Sequence, residues 1–153
     1  KIDSGFTLTQ AKLIDLQSRV SALESPRPPP KPIDPPIPVN PAPIPDPGFR
    51  VLIIYETGVS LTKEENSIIY GKAIRDYLNA KCVVGLDGKT KDWLIFDKDI
   101  DATLDSVMWA KAMARPRTSV PWLLVSDGKT GFEGPLPKTL AETMSILKKI
   151  GGE

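Results

Sequence analysis

The sequence predicts an α/β fold, a mixed sheet flanked by helices, preceded by an amphipathic helix and a polyproline arm. Three observations carry this. RVLIIYE (50–56), WLIFD (93–97) and VPWLLVS (120–126) read as strands, the first a continuous apolar run as expected for a strand buried on both faces. Segments with helical periodicity separate them and close the chain. Most of the 16 prolines fall between Pro26 and Pro47, a local bias that sets an arm apart from the remainder of the chain.

The chain divides into residues 1–24, 25–48 and 49–153. In the first, FTLTQAKLIDLQSRVSALE reads as a short amphipathic helix with Thr7 and Gln10 at capping-box spacing. Phe6, Leu13, Leu16, Val20 and Leu23 fit a and d positions of a heptad, with Thr9 the polar exception. Isolated helices below about 12–15 residues are marginal in water, so this seam needs a partner surface. Self-association as a dimer or trimer is the first expectation. Folding back onto the chain's own domain, or docking into another protein's groove, stays open.

In the second segment, SPRPPPKPIDPPIPVNPAPIPDPG, proline fixes φ, removes the amide donor and pushes its predecessor toward extended geometry. A helix or internal strand is excluded. Polyproline II geometry would span on the order of 70 Å. Ile33, Ile37, Val39 and Ile44 interrupt the prolines, and a purely solvated spacer does not need them. They are expected to lie on a protein surface, that of an adjacent subunit. Pro26, Pro29 and Lys31 match a PxxPx[K/R] ligand pattern, but in so proline-rich a tract the match is nearly automatic.

The third segment alternates strands and helices. After RVLIIYE, TKEENSIIYGKAIRDYLNAK reads as one helix with a capping box at Thr62 and Glu65. Its apolar face combines Ile69, Ala73 and Tyr77 with Tyr70, Ile74 and Leu78. WLIFD is the second strand, and ATLDSVMWAKAMA a second helix that Pro116 ends. VPWLLVS turns through Asp127-Gly128 into KTGFEG as a hairpin. KTLAETMSILKKI is the last helix, with Thr139 and Glu142 at its start, Lys148 and Lys149 near its end, and Gly151 as C-cap.

The order β-α-β-α-β-β-α and the stretch SVPWLLVSDGKTGFEGPLP resemble the thioredoxin family over roughly residues 49–151. The resemblance implies a cis peptide bond at Pro121 and a dithiol where the first strand meets the first helix, whose N-terminus activates the thiol. That junction here reads ETGVSLTKEEN and contains no cysteine. The single Cys82 falls at the opposite end of the predicted helix, where the dipole disfavours a thiolate. It reads as a small buried hydrophobe.

Composition narrows the chemistry further. There is no histidine, so no Ser-His or Cys-His nucleophile pair forms within the chain. Lys and Arg number 20 against 19 acidic residues, and Lys89, Lys91 and Lys98 form no basic stripe, so nucleic acid is not an expected partner. No apolar run approaches the roughly 20 residues of a membrane span. Asp97, Asp99, Asp101 and Asp105 alternate as in calcium loops, yet the required glycine and terminal glutamate are missing, and helix capping explains them more simply. No metal or cofactor is expected. GLDGKT and SDGKTG lack the glycine spacing of a phosphate loop. Trp93, Trp109 and Trp122 fit core positions.

Arg115, Arg117 and Pro121 mark the edge where the resemblance implies that partners dock. The resulting expectation is a non-enzymatic assembly protein of a virion or an extracellular or periplasmic filament, homo-oligomeric or part of a larger assembly. An exported or membrane-tethered binding protein, anchored upstream of Lys1, is the alternative. A single-cysteine redox protein using Cys82 is the enzymatic one.

Overall fold

The structure, a computed structural model, describes residues 40–153. Its organising element is β2, Arg50–Tyr55, whose apolar residues Val51 to Ile54 are all buried. Side chains alternate across a strand, so one run of four supplies both faces of the sheet. Val51 and Ile53 point into a core with Phe49, Ile68, Ile69, Ile74, Leu78, Leu123, Val125, Ile146 and Leu147. Leu52 and Ile54 point into a second core with Phe96, Trp109, Met113, Trp122 and Leu124.

The other elements are arranged around that strand. β1 is Asn40–Pro41, α1 Lys63–Tyr70, α2 Lys72–Lys81 and β3 Trp93–Asp97. A 3₁₀ turn at Ala102–Leu104 precedes α3, Val107–Met113. β4 is Trp122–Ser126, β5 Thr130–Pro135 and α4 Leu140–Gly151. The five-stranded sheet runs β1-β5-β4-β2-β3. β2 and β3 are parallel, pairing Val51 with Trp93 through Tyr55 with Asp97. The β2·β4, β4·β5 and β1·β5 pairs are antiparallel. The expected α/β mixed sheet is therefore present.

The chain joins this sheet earlier than residue 49. Asn40 and Pro41 pair with Gly131 and Thr130 as a short edge strand, a position proline tolerates. Ile44 is 2% exposed and belongs to the second core. Its carbonyl accepts the Ser126 hydroxyl proton at 2.6 Å and its amide donates to the same hydroxyl at 3.4 Å. Arg50 then holds the following turn, donating to the Asp46 and Pro47 carbonyls at 3.0 and 2.8 Å. Ile44, expected on a neighbouring subunit, thus packs within its own head. The reason is that the β4 face needs an apolar cover and the end of the arm supplies it. Ile33, Ile37 and Val39, and the heptad residues Phe6, Leu13, Leu16, Val20 and Leu23, lie outside the described residues.

Two predicted helices are subdivided. Gly71 adopts φ −69 and ψ 145, ending α1 and preceding α2. A Cβ there would stand 1.9 Å from the Ser67 carbonyl oxygen, so the bend requires glycine. The apolar face shifts accordingly: Ile68 and Ile69 are buried from α1 and Ile74 and Leu78 from α2, while Tyr70 and Ala73 are exposed. In the second case Asp101 caps the 3₁₀ turn and Ser106 caps α3, its hydroxyl accepting the Trp109 amide proton at 3.1 Å. Two competing caps divide a segment that periodicity alone reads as continuous. The Thr62–Glu65 capping box is present in full. The Asp127-Gly128 hairpin forms with Gly128 at φ 90. The last helix ends on Gly152 rather than Gly151.

Candidate functional site

The C-terminal ends of β2 and β3 open onto one rim of the sheet, the edge at which open α/β sheets place ligands. The antiparallel register brings the start of β4 to the same rim, because Ile54 lies opposite Trp122 and Tyr55 therefore lies beside Pro121. The Val120–Pro121 peptide is cis, and the Pro121 carbonyl accepts the Leu136 amide proton at 2.9 Å. The rim loop Glu56–Leu61 then leads to the Thr62 cap of α1, with Val59 exposed.

Polar contacts bind the rim together. The Thr57 amide donates to Asp97 at 2.7 Å, and the Thr57 hydroxyl donates to the same carboxylate. Asp97 also accepts the Asp99 amide proton at 3.0 Å. These bonds, the Thr57 hydroxyl first among them, hold the Asp97 carboxyl below its usual range. Lys98 Nζ stands 2.8 Å from both Glu56 and Asp99. Glu56, Asp97 and Asp99 can bring one oxygen each within 4.8 Å of one another. Such oxygens suit a hard divalent cation, and Lys98 places one positive charge beside two of the three carboxylates. The alternating aspartates are thereby separated. Asp101 accepts the Thr103 amide proton at 3.0 Å as a cap, and Glu56, distant in sequence, takes its place in the cluster. No local spacing signals Glu56. Only the parallel pairing of β2 with β3 brings it there.

Cys82 lies at the far side of the head. It is the C-cap of α2, and the next amide, that of Val83, donates to the Phe49 carbonyl at the opposite end of β2. Cys82 is 1% exposed, and burial, then the nearby Asp92 carboxylate, pushes its thiol up to about 12. A thiol so placed is no nucleophile at neutral pH.

Arg115 and Arg117 are both committed to their own chain. Arg115 makes a two-pronged contact with Glu133 on β5, at 2.7 to 3.0 Å. Arg117 donates to the Met113 carbonyl at 2.8 Å, satisfying the end of α3. Trp109 and Trp122 are core residues, and Trp109 Nε1 donates to Asp92 at 3.1 Å. Trp93 is half-buried, its Nε1 donating to Asn79 at 3.0 Å. Two grooves flank α3: exposed Leu86 lines one with half-buried Leu94 and Met108, and exposed Pro45 and Val107 line another with buried Pro43. Among the described residues no helix is long and apolar enough to cross a membrane.

No family model, characterised protein or solved structure matches this chain.

Proposed function

We propose that the chain is a non-enzymatic assembly protein of a virion or an extracellular or periplasmic filament, with a thioredoxin-like head that carries no redox chemistry. The strand succession β3-β2-β4-β5, the α4 helix after the hairpin and the cis peptide at Pro121 support the thioredoxin-like reading. One observation carries the functional half. The rim facing Pro121 bears Thr57, Val59 and Ser60, and the single sulfhydryl is buried at the opposite end of β2. Thiol–disulfide exchange needs an accessible thiolate, and this head offers none.

The N-terminal heptad residues and the proline arm are then the assembly parts, and the head is the piece they present. The test is the mass of the full chain in solution beside that of a chain lacking residues 25–39. Oligomers that lose their order on deletion, with an unchanged far-ultraviolet spectrum of the head, are the expected result. A full chain that is monomeric at all concentrations and reduces insulin disulfides would overturn the proposal.

A further inference from the structure

β3 ends the sheet, and among the described residues no strand pairs with its outer side. Its backbone parity is set by one bond, the Lys98 amide donating to the Tyr55 carbonyl of β2 at 2.8 Å. Main-chain groups alternate sides along a strand, so Leu94, Phe96 and Lys98 face β2 while Trp93, Ile95 and Asp97 face outward. Two of the six outward groups are already satisfied. The Trp93 amide donates to the Lys91 carbonyl at 2.9 Å, and the Asp97 carbonyl accepts the Ile100 amide proton at 3.2 Å. The Trp93 carbonyl, both groups of Ile95 and the Asp97 amide remain.

We infer that this edge is the interface for a second copy of the chain, paired antiparallel about a two-fold axis at Ile95. The inference deepens the assembly reading, on which it rests. The four remaining groups are self-complementary in that one register. Ile95 exchanges both of its bonds with the partner's Ile95, and each Asp97 amide donates to the partner's Trp93 carbonyl. Sliding the centre to Trp93 or Asp97 would require a donor or acceptor that is already used. A two-fold axis across a strand edge gives antiparallel pairing and closes at two copies.

The side chains agree with the register. The segment KDWLIFDKD reads so that Lys91 of one copy, whose Nζ donates to its own Cys82 carbonyl at 3.0 Å and keeps further protons to donate, stands by Asp99 of the other, and Leu94 by Phe96. Asp99 is 72% exposed at its side chain and within reach of such a partner. Proteins usually guard an open edge with a central charge, a proline or a bulge. The centre of β3, Leu94-Ile95-Phe96, has none of these. Leu86, 95% exposed, shares a groove with Leu94 on one face of the edge and extends the apolar surface that a second copy would cover.

Amide hydrogen exchange of the full chain, followed across a hundredfold range of concentration, tests this together with its mass. The Ile95 and Asp97 amides should slow at least tenfold as the chain associates, and Asp99→Lys should abolish that slowing. Adding Lys91→Glu to Asp99→Lys should restore it, because the swapped charges again oppose. Leu13→Asp with Leu16→Asp, which charges the heptad seam, should leave the protection of Ile95 intact. Fast exchange at Ile95 in a chain that still associates would overturn the edge interface alone. A wild-type chain that stays monomeric would overturn it together with the assembly reading.

Discussion

Ser126 and Cys82 each bury one heteroatom in the head, with opposite consequences. Ser126 Oγ donates to the Ile44 carbonyl and accepts from the amides of Ile44 and Gly128. Ser126→Ala leaves the buried amide and carbonyl of Ile44 without this partner, a cost of about 1–3 kcal/mol, visible as a lower denaturant midpoint with unchanged slope. Cys82 works in the opposite sense, because its environment favours the neutral thiol. Its folded pKa is raised, so its stabilising contribution is complete below the unfolded value near 8.5 and is lost as pH rises toward about 12. Unfolding titrations of Cys82→Ala should therefore show a shallower alkaline decline than the parent chain. A sulfhydryl reagent at pH 8 should label the parent only after denaturation.

Caps and one glycine decide the helices, where periodicity only proposes them. The Thr62 hydroxyl accepts the Glu65 amide proton at 3.1 Å and the Glu65 carboxylate accepts that of Thr62 at 2.7 Å. Thr62→Ala should destabilise the head by about 1 kcal/mol, and Thr62→Ser should recover most of it, measured by chemical denaturation. On the neighbouring strand ends, the Thr57 bond keeps Asp97 ionised to lower pH than an ordinary aspartate. A depressed carboxyl contributes above its unfolded pKa near 3.9 and loses that contribution as pH falls through the folded one. Thr57→Val should move the Asp97 carbon resonance titration upward in pH. Lys98 pairing with Glu56 would persist.

For the whole molecule, the boundary between arm and head sets what can be removed. Deleting residues 25–39 spares β1 and Ile44, so the head should keep its melting transition. Deleting 25–48 removes the edge strand, the Ile44 side chain and the carbonyls that Arg50 holds. Losing one buried aliphatic side chain costs about 2–5 kcal/mol by itself, so this longer deletion should melt well below the shorter one in a calorimeter. The Arg50–Asp92 pair, at 2.6 Å and largely buried, would lose part of its support in the same step.

Much of the head is legible from residue order. Runs such as VLII and LLV read as buried on both faces, because a strand with no polar side has no surface to give to water. Threonines three residues ahead of glutamates mark helix starts, since the exposed amides there need acceptors. The absence of sulfur at the rim is a matter of composition and needs no coordinates. What tertiary structure decided is where distant segments meet. Ile44 became core because Ser126 and the β4 face lay within reach, which nothing local to a proline-rich stretch signals. The placing of Glu56 beside Asp97 and the open outer edge of β3 likewise depend on strand order. Side-chain pattern records what each element wants to bury. Only the packed sheet determines which neighbour buries it, and which hydrogen-bonding groups are left facing outward.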